Sequence, residues 1–346
     1  PHTAGSSFKP FVYLSAFAKR AFSPDSIIDD SPITIKQGWG LPLWQPKNFD
    51  RKFMGRIPIR TALTLSRNVP SVKIAQEIGV GGIIETARLC GITSKLDANL
   101  SLALGTSAVS PLEMAGAYST FARSGVMISP QVVRKIENTR GQVVQAFEAK
   151  YDKAFDTEPV AELVSVLQDV VNKGTGTQAK LPDRPVAGKT GTADEGKDIW
   201  FCGFTPDTVA VLWGGNDDNL PIAGHNVTGG TVMAKIWKTF MTAYYEKHPT
   251  PSGQFIAPNR APARPADGAV AEGDQPATPE QPGGSFGNSI PNLVPITPRA
   301  EGNGDPAGLA PVPGQTPPAT PGADGMPPVA PNVVPQQDPQ PAPAPN

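Results

Sequence analysis

The chain has little with which to hold a metal and no segment with which to cross a membrane. Its 346 residues contain two cysteines and three histidines, too few and too scattered for a ligand set. Cys90 and Cys202 lie in apolar stretches, Ala87-Arg88-Leu89-Cys90 and Ile199-Trp200-Phe201-Cys202, which predicts buried free thiols rather than a disulfide. No apolar run approaches the length of a membrane span. His2, His225 and His248 form no Ser-His-Asp arrangement, and there is no Gly-x-Ser-x-Gly elbow; this removes the hydrolase readings built on those patterns.

The most uneven absence is in the last part of the chain. Residues 250–346 have no Lys, Trp, Tyr or Cys and hold 24 of the 40 prolines. Such a segment buries too little apolar surface to offset its ordering entropy, so it is expected to be a disordered, Pro/Ala/Gly-rich tail. Its three arginines and eight acidic residues give it a charge of −5; residues 1–249, with 27 basic and 23 acidic residues, carry +4. Neither value suggests a nucleic-acid partner. The expected organisation is one folded domain over 1–249 followed by the tail over 250–346.

Hydrophobic spacing predicts a helix over 6–22 (Phe8, Phe11, Val12), a turn-rich stretch over 23–58 with a strand-like Ile33-Thr34-Ile35, and a helix over 59–78 broken near Pro70. A short helix follows over 81–89. Ser110, Pro111 and Glu113 spell a helix start for 109–124. Residues 131–147 alternate around Thr139-Arg140-Gly141, a hairpin pattern. A helix over 157–173 stops at Gly174, three strand-like runs (185–193, 198–204, 208–215) read as an antiparallel meander, and residues 229–246 read as a closing helix. The fold class expected is α+β, an antiparallel central sheet flanked by helices.

What is present is a set of three short patterns, each occurring once: Ser6-Ser7-Phe8-Lys9, Ser66-Arg67-Asn68 and Lys189-Thr190-Gly191-Thr192. Roughly one chance match is expected for each of the first two in a chain of this length, so their weight lies in order and company. Ser6 is a candidate nucleophile and Lys9, three residues on, shares its helix face and is a candidate base. A lysine serves as a base only when neutral, which burial or a second cation such as Lys189 would favour. Ser66 is a candidate proton relay to the leaving group, and Asn68 a candidate to hold the substrate backbone and orient Lys9. Lys189 and Thr190 are candidates to bind a carboxylate. Gly191, inside a strand-like run, suggests close approach of a peptide-like substrate, and the N–H groups of Ser6 and Thr192 are candidates for an oxyanion hole. The chemistry indicated is acyl transfer through a serine ester, with no metal or organic cofactor.

The flanking residues extend the pattern. Gly5-Ser6-Ser7-Phe8-Lys9-Pro10-Phe11 followed by Ile27-Ile28-Asp29-Asp30, Leu102-Ala103-Leu104-Gly105 with Pro111-Leu112-Glu113, Gly174-Thr175-Gly176-Thr177, and Asp198-Ile199-Trp200-Phe201 with Gly203-Phe204-Thr205-Pro206 resemble the transpeptidase domain of class A (bifunctional) penicillin-binding proteins over about residues 4–246. The resemblance implies a D,D-transpeptidase that cross-links peptidoglycan stem peptides ending in D-Ala-D-Ala, is acylated by β-lactams at Ser6, and works outside the cytoplasm. It also implies a longer parent. Sheet strands of this domain, a glycosyltransferase domain and a membrane anchor lie upstream in the family, so the piece beginning at Pro1 is expected to be truncated at its N-terminal side. Cell-wall synthesis proteins are candidate partners for the tail. The alternatives on the same site are a D,D-carboxypeptidase, a β-lactamase-like hydrolase, or a non-catalytic module that senses β-lactams. Against the hydrolase, no Glu-x-x-Leu-Asn occurs between Ser66 and Lys189.

Overall fold

The computed structural model describes residues 2–259 except 37, 39, 41, 194, 195 and 225. His225 and residues 260–346, hence most of the expected tail, lie outside the described residues.

A two-residue strand, β1 (His2–Thr3), leads into a 3-10 turn over Gly5–Phe8 and then into helix α1 (Lys9–Ala18). The single helix expected over 6–22 is therefore split and shorter. Pro10 explains the split. It has no N–H to give to the carbonyl of Ser6, four residues back, so the Lys9 N–H takes that carbonyl and winds the turn tighter. Arg20, at φ 58°, then ends the helical path. Every residue of α1 from Lys9 to Phe17 is buried, because the helix is surrounded by others rather than lying on a surface.

The turn-rich stretch contains an antiparallel pair, β2 (Ile27–Asp29) and β3 (Arg56–Pro58). The strand-like Ile33-Thr34-Ile35 contributes a single bridge, Ile35 to Trp44. Helices α2 (Ile59–Thr64) and α3 (Asn68–Ile78) replace the one expected over 59–78. The break falls at residues 65–67, not near Pro70. Pro70 sits in the first turn of α3, where no intrahelical N–H bond is needed, while Ser66 takes φ 57° and interrupts the helix.

Helix α4 (Val80–Leu89) precedes a 3-10 turn over Leu100–Leu104 that closes on Gly105. Strand β4 (Ala108–Val109) pairs with β1. Helix α5 (Pro111–Ala122) starts with the expected capping box between Ser110 and Glu113. The same carboxylate also accepts the N–H groups of Thr93 and Ser94 at 2.8 and 2.7 Å, which ties the preceding loop to the helix start. Strand β5 (Val126–Ile128), the hairpin β6 (Lys135–Glu137) and β7 (Val143–Ala146), and β8 (Tyr151–Lys153) form an exposed ribbon in which β5 pairs with β8. Helix α6 (Thr157–Lys173) ends at Gly174 as expected.

The main sheet is the meander β9 (Ala187–Thr192), β10 (Asp198–Phe204) and β11 (Val209–Gly215), in the order β11-β10-β9. Trp200, Cys202 and Phe204 of β10 join the core around α1, α5 and α6, whereas Ile199 and Phe201 face Trp237 and Met241. The latter belong to α7 (Ala234–Lys247), which follows a π-turn over Gly229–Met233. Both faces of β10 are covered, so its sequence runs continuously apolar instead of alternating. Cys90 and Cys202 are both buried and free.

Residues 250–259 run back along the domain. Thr250 Oγ1 donates to Asp207 at 2.8 Å, the Phe255 ring meets the Phe204 ring edge-on at 5.5 Å, and the Asn259 N–H reaches both Glu158 oxygens at 3.0 and 3.1 Å.

Candidate active site

Of residues 4–17, Ser6 alone is not buried. Its neighbour Ser7 is fully buried and spends its hydroxyl on Ala4 O at 2.6 Å. No hydrogen bond to the Ser6 hydroxyl is found among the described residues. Of two adjacent serines, only Ser6 therefore offers a free, accessible oxygen. The turn that carries it is clamped from below, where the buried Tyr118 hydroxyl of α5 donates to Ser7 O at 2.7 Å.

Three glycines let backbones meet around this turn. A Cβ on Gly105 would stand 2.0 Å from Gly5 O, one on Gly5 (φ 53°) would stand 2.8 Å from Thr192 O, and one on Gly191 would stand 2.7 Å from Ala4 O. Gly191 was expected to admit a substrate backbone. The chain's own backbone, from the turn ahead of Ser6, also approaches it. Leu102-Ala103-Leu104-Gly105 acquires a function in the same way, since Gly105 O accepts the Gly5 N–H at 2.9 Å.

The three motifs converge on the Ser66 hydroxyl. Lys189 Nζ donates to Ser66 Oγ at 2.8 Å and Lys9 Nζ lies 3.3 Å from it. Lys9 Nζ also donates to Ser66 O at 2.6 Å and to Asn68 Oδ1 at 2.7 Å. These two oxygens occupy two of the amine's positions; in the neutral amine the third is a lone pair. The expected pairing of Lys9 with Ser6 is not formed here: the amine is turned to Ser66 and Asn68. Both lysines are fully buried. Burial holds the Lys9 pKa well below the usual lysine range, reinforced by the Lys189 and Arg67 cations and opposed by Asp30. Burial brings Lys189 down to about 7.

Strand β9 presents its backbone to the same cleft. Thr192 is opposite Ile199 and Thr190 opposite Phe201 across the ladder with β10, and the Ala193 N–H bonds to Asp198 O one step further on. Bonded and non-bonded pairs alternate in an antiparallel ladder. The N–H and C=O groups of Thr190 and Thr192 consequently point away from β10, toward the edge beside the Ser6 turn. On the strand's other face, Thr190 Oγ1 shares a hydrogen bond with Thr175 Oγ1 at 2.7 Å, and Thr192 Oγ1 accepts the Gly229 N–H at 3.2 Å.

The Ser6 turn with Lys9, the Ser66 turn with Asn68, and Lys189, Thr190, Gly191 and Thr192 of β9 thus meet at one site. Thr175 stood in a quoted motif without a role, and the hydroxyl pair with Thr190 supplies one. Tyr118 had no sequence signal, because an internal aromatic of an apolar helix reads as core. No group of His, Cys, Asp or Glu suited to a metal is found among the described residues.

The family model for the penicillin-binding protein transpeptidase domain matches residues 2–242. The chain is 38% identical over 245 residues to penicillin-binding protein 1A of Neisseria meningitidis, covering 68% of this chain and 30% of the relative. It is 34% identical over 289 residues to penicillin-binding protein 1A of Pseudomonas aeruginosa, covering 68% and 35%. The chain spans about a third of the length of these curated relatives. Among solved structures, penicillin-binding protein 1A of Haemophilus influenzae superposes with a TM-score of 0.67 at 26% identity, over 74% of this chain and 44% of that one. The Mycobacterium tuberculosis protein PonA1 in complex with penicillin V shares the fold with a TM-score of 0.67 at 24% identity, over 75% and 72% of the two chains.

Proposed function

Because this chain belongs to the penicillin-binding protein transpeptidase family, we propose that it is a serine acyltransferase that cleaves the D-Ala-D-Ala bond of a peptidoglycan stem peptide and passes the acyl group to the amine of a neighbouring one. The observation that carries this reading is the convergence of both buried lysines on the Ser66 hydroxyl, with the half-buried Ser6 three residues before Lys9.

In this reading each residue has a role. Lys9, kept neutral by its surroundings, takes the Ser6 hydroxyl proton on its lone pair as Oγ bonds to the carbonyl carbon. The N–H groups of Ser6 and Thr192 hold the resulting oxyanion. The C–N bond to the terminal D-alanine then breaks. Its nitrogen receives the proton of the Ser66 hydroxyl, which regains one from Lys9, now carrying the Ser6 proton, while Lys189 holds the Ser66 oxygen. Asn68 holds the amide of the donor peptide, and Lys189, Thr190 and the β9 edge at Gly191 and Thr192 hold its carboxylate and backbone. In the second half, the acceptor amine attacks the Ser6 ester, loses a proton to the site, and Ser6 leaves reprotonated.

β-Lactams mimic the D-Ala-D-Ala unit and acylate the same oxygen. The domain therefore works on the outer side of the cytoplasmic membrane, where both ligands are found. The test is incubation of the chain with a fluorescent penicillin. The wild-type chain should form a covalent adduct that lasts minutes or longer, and Ser6→Ala should form none. Rapid release of hydrolysed penicillin would overturn transfer in favour of hydrolysis. Equal labelling of Ser6→Ala would remove Ser6 from the chemistry.

A further inference from the structure

The middle residue of Ser66-Arg67-Asn68 does not face the cleft. The Arg67 guanidinium is buried behind it. Nε donates to Asp30 Oδ2 at 2.9 Å, Nη1 to Asp50 Oδ2 at 2.9 Å, and Nη2 to Lys52 O. Asp30 is itself fully buried and fully used: Oδ1 accepts from Asn48 Nδ2 at 2.8 Å, and Oδ2 also takes the Met54 N–H at 3.1 Å. Asn48 turns its Oδ1 to the N–H groups of Asn68 and Val69, at 2.7 and 3.2 Å, the first free donors of α3. Lys47 O accepts from Asn68 Nδ2 at 2.8 Å, which leaves Asn68 Oδ1 aimed at Lys9.

This assembly surrounds the one strained residue of the site. Ser66 has φ 57°, a left-handed conformation that non-glycine residues seldom adopt. In this conformation Ser66 O, Ser66 Oγ and Asn68 Oδ1 all meet the Lys9 amine. We propose that Arg67 is the positioning residue of this site: gripped by Asp30 and Asp50, it holds Ser66 in the left-handed turn and thereby presses the Ser66 and Asn68 oxygens onto Lys9. The proposal rests on the acyl-transfer reading of Ser6 and assigns the residue between the motif's two named positions.

The same pair sets the charge around Lys9. The charged groups facing that amine are Lys189 from β9, Arg67 from the turn and Asp30 from the segment after β2; the two cations lower its pKa and the carboxylate raises it. Removing the Arg67 charge leaves Asp30 unopposed, so Lys9 keeps its proton to higher pH. Removing the Asp30 charge does the reverse. A role confined to folding predicts no such opposition.

The experiment measures the second-order rate of labelling by a fluorescent penicillin between pH 5 and 9, with thermal unfolding of each variant in parallel. Arg67→Gln should label at least ten-fold more slowly at neutral pH, with the acid limb displaced upward. Asp30→Asn should displace the limb downward. Arg67→Lys, which keeps the charge but loses the fork, should be slower with the limb unmoved. Labelling of Arg67→Gln at the wild-type rate with an unmoved limb, or displacement of both limbs in the same direction, would overturn the proposal. Should Arg67→Gln or Asp30→Asn fail to fold, Arg67→Lys decides, since a wild-type rate there is also contrary. If the wild-type chain is labelled no better than Ser6→Ala, the acyl-transfer reading fails first, and that outcome is distinct from each of these.

Discussion

The two walls of the cleft are held in place by different forces. On one side, the turn at Ser66 is kept in a costly conformation by charge: buried Arg67 between the buried Asp30 and the exposed Asp50, with Asn48 capping the next helix. On the other side, β9 and the Ser6 turn meet through bare backbone. There Gly5, Gly105 and Gly191 remove the side chains that would keep them apart. The charged wall bears on the protonation of the catalytic amine, because Arg67 and Asp30 both act on Lys9. The glycine wall sets distances, because its contacts are backbone carbonyls and nitrogens and the Cβ atoms of Trp200 and Ser7, none of them the tip of a flexible side chain. A proton relay needs the first kind of control and an oxyanion hole needs the second.

The largest effect should come from breaking the glycine wall. In Gly191→Ala the added carbon would lie 2.7 Å from Ala4 O and 2.9 Å from Trp200 Cβ, with 3.1 Å to Ser7 Cβ. None of these is the tip of a flexible side chain. The Ser6 turn must shift off β9, separating the Ser6 and Thr192 N–H groups. Loss of an oxyanion donor costs about 10²–10³ in rate, so penicillin labelling should fall by about that factor while the protein still melts cooperatively. Labelling within three-fold of wild type would show that the wall can yield.

Lys189 is the one charge on the glycine wall and sharpens the comparison through stability. Its folded pKa is about 7, against about 10.4 in an unfolded chain. Below pH 7 both states carry the proton and the native state bears the full cost of burying it. Between 7 and about 10 the unfolded chain binds more protons, so stability rises with pH; above that it levels off. Each tenfold difference in proton affinity between the two states corresponds to about 1.4 kcal/mol, so the rise should amount to a few kcal/mol. Lys189→Met should make the rise shallower, leaving the share that Lys9 contributes, as read by denaturant unfolding at pH 6, 8 and 10. An unchanged slope would mean that Lys189 is not the group that titrates.

The glycine wall was easier to read in the sequence than the charged one. The meander, its strand limits and the helix stop at Gly174 follow from periodicity and turn residues, and Gly191 advertised a close approach, which the chain's own Ala4 makes on one side of it. The order of the three motifs was legible because each is short and local. The break at Ser66 was not. A left-handed serine leaves no mark in composition, and Pro70 drew the boundary toward itself although it lies in a first helical turn that tolerates it. The grip of Asp30 and Asp50 on Arg67 spans 37 and 17 residues of sequence, and no pattern of spacing announces contacts made by a loop. The split of the first helix was there to be found, since Pro10 cannot bond to Ser6.

The smallest effect concerns the segment behind the glycine wall. Phe255 meets Phe204 edge-on, Phe204 meets Tyr118 at 6.3 Å, and Tyr118 bonds to Ser7 O in the nucleophile's turn. Residues 250–259 thus brace the side of the core on which that turn rests. A chain ending after residue 259 should label with penicillin as fast as the whole protein and unfold at the same temperature. One ending after residue 249 loses the Phe255 contact and the Asn259 and Thr250 hydrogen bonds. Phe255 is only partly buried, so its loss costs less than the about 1.5–3 kcal/mol of a fully buried phenylalanine; at about 2–4 °C per kcal/mol for a domain of this size, the melting temperature should fall by less than about 12 °C. Because nothing in this segment touches Arg67, Asp30 or Lys9, the acid limb of labelling should stay where it is. A displaced limb in the shorter chain would show that the two walls are coupled through the core, and that the separation of charge from steric control fails.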